Sequence, residues 1–360
     1  MTASRYRGSL AVWAALIAYA SLYPFVPLRP PAADALGAFF ARPRFVTDFD
    51  VWVNIAAYVP LGTLACLYFR QAGGVAKPIL KAAALGAAFS FAMETCQLFI
   101  PNRIASIFDV LANAGGALAG ALVFADPFYS LAMRPLGELR ERIVIPGAWG
   151  DAGLVLVMLW LIAQLNPALP FFGAGNILGD PPRADELAIL QWSAVAMGIC
   201  GFGLFVSALL QAETGTLRLT LVLLSVALWL KFMAASFMLQ PHFAEGWVSV
   251  GRVVGLVVGV VALVPLRRLP RAGRIYLAIM LVLAAALFSK IFGAYSAVDE
   301  LLRMFSWPHG QLAGFATLTR FLHELWPFAA LVFLIGFFFH TRRLSTLLER
   351  TQTLRSQEFQ

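Results

Sequence analysis

Long apolar runs separated by short breaks that hold Pro, Gly, Arg or clustered charge set the pattern of this chain. With a window of about 20 residues, enough for a helix to cross a hydrocarbon core, roughly ten runs stand out. They cover 8–27, 51–70, 79–100, 105–125, 148–166, 187–210, 218–238, 247–266, 274–293 and 321–340. The pattern therefore predicts an all-α, polytopic transmembrane bundle. The longest polar interruption, 126–147, carries Pro127, Pro135 and Pro146 beside Glu138, Arg140, Glu141 and Arg142. It reads as an amphipathic helix on the membrane surface and divides the chain. Residues 1–125 form a four-helix membrane domain, 126–147 an interfacial linker, 148–340 a second domain of about six helices, and 341–360 a polar tail that continues the last helix and frays.

Composition agrees. Hydrophobic residues make up 60% of the 360, charged residues 13%, and mean hydropathy is +0.78, which excludes an ordinary soluble globule. The net charge of +8 is spread over loops and forms no basic stripe, so no nucleic-acid partner is expected. Instead the cations set topology. With the N-terminus inside, the inner loops take Arg70, Lys77, Arg140, Arg142, Arg267, Arg268, Arg342 and Arg343, while the outer loops take far fewer. That asymmetry puts both termini in the cytoplasm of a plasma (inner) membrane. Ala18-Tyr19-Ala20 resembles a signal-peptidase site, but the apolar run continues through it and reads as the first span. Cys66, Cys96 and Cys200 lie inside apolar runs and suggest neither a disulfide nor a metal framework.

Two carboxylates stand where lipid-facing segments have none. Glu94 and Asp109 flank the turn at Pro101-Asn102-Arg103, each about six residues from it, or roughly 9 Å along a helix. An antiparallel hairpin brings them to matching depth near the outer face. Ionisable groups there belong against protein or water. Gln97 shares a helix face with Glu94, Asn113 shares one with Asp109, and Asn54 starts the preceding outward-facing segment. Ser106-Ile107-Phe108-Asp109 also fits a helix-capping box, and Arg103 fits a headgroup anchor. Structural and binding accounts thus coexist for these residues. The binding account is an outward-opening polar pocket whose carboxylates share a proton, a cation or Arg103.

In the second half, Lys231, Arg252 and Lys290 lie inside apolar runs, with Arg303, His309, Arg320 and His323 toward the same side. They either snorkel to the interface or line a vestibule attractive to phosphate. Gly251, Gly255 and Gly259, like Ala112, Gly116 and Gly120, recur every four residues and mark close helix packing. His242, His309, His323 and His340 lack metal-ligand spacing, and no GxxxxGK[ST] motif occurs. No cofactor is expected.

The run from Asn54 to Gly62, Glu94-Thr95-Cys96-Gln97, Arg103 followed by Asp109, Asn113 and Gly116, and Ser21 to Phe25 before them together resemble the VanZ-like family of bacterial membrane proteins over about residues 10–125. One departure is Ser106, where the family often carries an acidic residue. The family takes its name from a protein linked to low-level teicoplanin resistance. The resemblance implies a cell-envelope membrane protein and no defined reaction. Three function classes follow. The first is a binder of a membrane lipid or lipid-linked envelope precursor, with Asn54, Glu94, Gln97, Arg103, Asp109, Asn113, Lys231 and Arg252 as contacts. The others are a proton-coupled transporter or flippase, and an enzyme acting on a lipid-linked glycan, for which no catalytic cluster is seen. Membrane-protein partners stay open.

Overall fold

The computed structural model describes residues 3–41, 48–70, 76–101, 103–123, 131, 134–167, 169, 184–212, 215–238, 250–292 and 310–358. Among the described residues the chain is helical, apart from one isolated bridge between Val144 and Leu210. The helices are α1 (Ala3–Leu22), α2 (Ala35–Phe40), α3 (Asp48–Phe69), α4 (Ala76–Gln97), α5 (Ile107–Leu122), α6 (Arg134–Ile143), α7 (Ala148–Ala163), α8 (Ala184–Leu209), α9 (Thr216–Met238), α10 (Val250–Leu266), α11 (Arg271–Phe292) and α12 (Gly310–Glu358).

Six of them, α3, α4, α8, α9, α11 and α12, hold segments long and apolar enough to cross a membrane. In α5, α7 and α10 the apolar helices are shorter. The 16 residues of α5 reach only about 24 Å at 1.5 Å per residue, less than a hydrocarbon core of about 30 Å. With α1, these three account for the rest of the ten apolar runs. Apolar length alone therefore supports six crossings where the pattern led us to expect ten. The last helix also differs from expectation. It begins at Gly310, not near 321, and continues unbroken to Glu358 where a frayed tail was expected.

The chain divides into two compact units, Met1–Glu141 with Trp307–Leu318, and Arg142–Ser306 with Thr319–Gln360. In the first, α5 packs against both α3 and α4, while α1 lies along α3 and α4. Small residues make this approach close. A Cβ added at Gly116 would strike the backbone of Ile55, and one at Gly120 the backbone of Val59. The Thr63 hydroxyl then reaches across to donate to Gly120 O at 2.9 Å. Trp13 Nε1 ties α1 to Ala57 O of α3 at 2.8 Å. Apolar clusters around Tyr58, Leu61 and Ala117, and around Ala65, Cys66 and Ala121, fill the seam.

The loop between α1 and α3 holds the short helix α2. Phe39 seals against Ala105 and Val110 at the end of the bundle where α4 turns into α5, and its ring meets Phe91 edge-on with centroids 6.1 Å apart.

The second unit is organised on α8, which contacts α7, α9, α10 and α11. Of its 18-residue apolar window 78% is buried inside the structure, against 39% or less for the other five, so α8 is a core helix clad by helices. Gly255 and Gly259 of α10 lie against Trp192 and Ala196 of α8, as the four-residue spacing anticipates. Trp160 stacks on Phe202 with centroids 4.1 Å apart, and Trp326 closes the cluster.

Candidate functional site

The polar side chains of the first unit meet where α3, α4 and α5 come together. Each helix contributes a residue near the end of the bundle at which α4 turns into α5 and another one turn deeper into the bundle: Asn54 and Tyr58 on α3, Glu94 and Ser90 on α4, Asp109 and Asn113 on α5. The spacing of four places each pair on one helix face. The result is two polar layers in a three-helix seam.

In the outer layer, Asn54 Nδ2 donates to Asp109 Oδ1 at 2.9 Å. Glu94, 5% exposed, accepts from the backbone N–H of Ser106 at 2.9 Å. Ser106 is the N-cap of α5, and its hydroxyl accepts from Phe108 N at 3.1 Å. In a capping box the residue three beyond the cap returns to the cap N–H. Here a carboxylate from the neighbouring helix serves that N–H, while the residue three beyond, Asp109, reaches across to α3. The positive end of the α5 dipole favours both carboxylates. Glu94 is electrostatically coupled to Asp109 and to Arg103.

In the deeper layer, Asn113 Nδ2 donates to Ser90 Oγ at 2.8 Å, and Ser90 is hydrogen-bonded to the Tyr58 hydroxyl, which also feels the Glu94 charge. Asn113, Ser90 and Tyr58 are 4%, 0% and 3% exposed. Asn113 Oδ1 is buried with no hydrogen-bond partner.

Gln97 and Arg103 do different work. Gln97 Nε2 donates to Ser21 O at 3.1 Å. The Arg103 guanidinium donates to Ala20 O at 2.8 Å and to Tyr23 O at 3.1 and 3.2 Å. These are the carbonyls that the end of α1 leaves unpaired, and a cation at a helix C-terminus is favoured by its dipole. Burial draws the Arg103 guanidinium below its ordinary value and Glu94 opposes that. It stays protonated, as arginine does in proteins. Both residues therefore clasp the end of α1 to the turn after α4.

Lys231, in the second unit, does not snorkel. It is 1% exposed, and its Nζ donates to Asn166 O at 2.9 Å and Leu169 O at 2.6 Å, just past the end of α7. The Asn166 amide in turn donates to Thr319 Oγ1 at 3.0 Å. Arg320 pairs with Glu324 at 3.0 Å, and His323 is buried. The Arg252 and Lys290 side chains, and Arg303 and His309 altogether, lie outside the described residues. No group of three or more His, Cys, Asp or Glu side chains fit to hold a metal occurs among the described residues.

The sequence reading missed Tyr58 and Ser90. The signal was there: each stands four residues deeper than a residue already singled out, on the same helical face. Tyr58 reads as an ordinary core aromatic, and Ser90 as a small packing residue, until the neighbouring helices are in place.

Residues 8–130 match the family model described as VanZ/LLP1, so this part of the chain, which holds both polar layers, is VanZ-like. The match ends before the second unit begins. No curated protein and no solved structure matches the chain.

Proposed function

With residues 8–130 taken as VanZ-like, we propose that this protein is a multi-pass protein of the bacterial cell envelope. Its outer layer, Asn54, Glu94 and Asp109, binds the headgroup of an amphiphilic or lipid-linked envelope precursor at the outer face of the plasma membrane. The observation that carries this reading is the bond from Asn54 to Asp109 beside the enclosed Glu94. Three helices converge to bring amide and carboxylate groups together among apolar segments, where an ionisable side chain by default marks a functional site.

The chemistry of the layer narrows the headgroup. The carboxylates accept hydrogen bonds, and Arg103, the cation that acts on Glu94, already donates to the carbonyls of α1. Groups of this kind suit hydroxyl- or amine-bearing headgroups, such as the sugar of a lipid-linked glycan, better than bare phosphate. The reading rests on the first unit alone. Lys231, enclosed by carbonyls, is not needed for it.

The test is equilibrium binding of a labelled polyprenyl-linked sugar to the purified protein, with the matching sugar-free polyprenyl phosphate as comparison. Preferential binding of the sugar-bearing lipid, weakened at least tenfold by Asp109→Asn, is the expected result. Equal affinity for both lipids, unchanged by that substitution, overturns it.

A further inference from the structure

In the second unit, beyond the VanZ-like part of the chain, an open groove of about 560 Å³ runs along the first turns of α9. That size lies within the range of ligand clefts, about 300–1,000 Å³. Its wall follows a four-residue spacing: Leu217, Leu221 and Ser225, with Arg218, Val222 and Val226 beside them, recur on one helical face. Leu221, Val222 and Val226 are 40%, 50% and 40% exposed, and the strip extends about 12 Å at 1.5 Å per residue. Two arginines line the same groove: Arg218, in the first turn of α9, and Arg267, the residue that follows α10.

Both guanidiniums have capacity for a ligand. Among the described residues neither is paired with a carboxylate, and no acidic side chain lines the groove. Arg267 donates through Nε to Val264 O at 3.3 Å, which leaves the four N–H groups of its fork. Arg218 is the third residue of α9, at the positive end of that helix's dipole, and the first turn holds no acidic residue to offset it. A guanidinium matches phosphate oxygens with two parallel hydrogen bonds. The setting shows where such a phosphate comes from. The segment Thr216–Ser236 of α9 is long and apolar enough to cross a membrane, so Arg218 stands at its boundary while the apolar strip leads inward among acyl chains. We propose that this groove binds an anionic phospholipid, its phosphate held by Arg218 and Arg267 and one acyl chain lying along Leu221, Val222 and Val226.

Charge selects among lipids. Phosphatidylglycerol brings a net negative headgroup to the two arginines. Phosphatidylcholine brings an ammonium as well, and the groove has no carboxylate to receive it. Basic pockets at membrane helices recognise anionic headgroups on this principle. The loop charge pattern predicts that this end of α9 lies on the cytoplasmic side. The site belongs to the second unit and stands independently of the headgroup reading given for the first.

The full-length protein in a neutral detergent provides the test. Its melting temperature is followed as phosphatidylglycerol, phosphatidylcholine with the same acyl chains, or inorganic phosphate is added at constant ionic strength. A saturable rise with phosphatidylglycerol, at an apparent affinity at least tenfold above that for phosphatidylcholine, is the expected result. Arg267→Gln should weaken it at least tenfold, whereas Arg268→Gln, at an exposed neighbour that does not line the groove, should leave it within twofold. Val222→Trp keeps both charges but fills the groove, and should also weaken binding. The comparison of lipids on the wild-type protein needs no variant, so a poorly folded mutant cannot mask the answer. Equal affinity for the two lipids, or equal losses for Arg267→Gln and Arg268→Gln, is the behaviour of diffuse attraction to a charged surface and overturns the proposal. A rise with inorganic phosphate that matches the one with phosphatidylglycerol also overturns it, since the acyl chain then contributes nothing.

Discussion

Asn54 and Asp109, 55 positions apart in sequence, are joined by a 2.9 Å hydrogen bond that links the start of α3 to the first turn of α5. Asp109 is three residues past the α5 cap, and the same rotation of α5 that lets it reach α3 turns Asn113, four residues on, toward Ser90.

Breaking that bond should be measurable but modest. Hydrogen bonds between membrane helices average about 0.6 kcal/mol and reach about 1.7 kcal/mol in double-mutant cycles. For Asn54→Ala with Asp109→Ala, a coupling within that range is expected from detergent or thermal denaturation. A coupling of zero would mean that the two side chains do not meet.

The close crossing of α3 and α5 gives a steric prediction. Gly120→Ala drives a methyl into the Val59 backbone, and overpacking of this sort costs roughly 1–3 kcal/mol. Gly115→Ala, on the same helix, meets nothing within 4 Å. It should be neutral, or slightly stabilising through helix propensity. Thermal unfolding of the two variants side by side checks the contrast.

Arg103→Lys should behave as a disruptive change. A single ammonium cannot reproduce the forked contacts to Ala20 O and Tyr23 O. Faster amide exchange or proteolysis confined to residues 18–25, with the rest of the first unit unaffected, is the expected signature.

In the second unit, Lys231→Met removes the donor from Asn166 O and Leu169 O. Unpaired buried carbonyls cost about 1–3 kcal/mol each, part of which the shed burden of a buried charge would offset. A net loss of roughly 2 kcal/mol by thermal unfolding is expected. Lys231→Gln, which keeps a donor, should recover part of it. Full stability of Lys231→Met would show that the amine does not hold this turn.

The helical class was legible because its cause is local. Runs such as 51–69 and 192–209 are too apolar and too long for anything but buried or membrane-crossing helices, and the described helices follow those runs closely. The amphipathic α6 was legible for the same reason. How many helices cross was less so, since 16 residues of α5 satisfy a hydropathy window loosely but a bilayer thickness poorly. The polar end of α12 continues the last helix, as its helix-compatible residues with no glycine or proline to stop it allow, while the start at Gly310 lies ahead of the apolar run.

At the level of single side chains the boundary between local and tertiary causes is clear. Charge in an apolar run is visible without coordinates, so Glu94, Asp109, Asn54, Gln97, Arg103, Asn113 and Lys231 stood out from sequence, as did the VanZ-like pattern that links most of them. What each touches depends on helix rotation and crossing, which small residues at Gly116 and Gly120 permit but do not specify. Only the packed helices turned Arg103 and Gln97 toward the carbonyls of α1 and enclosed Lys231 among those after α7. The same packing added Tyr58 and Ser90 to the polar seam. Burial cost, acting locally, marks which residues require a partner; the partner itself comes from elsewhere in the chain and is fixed when the helices dock.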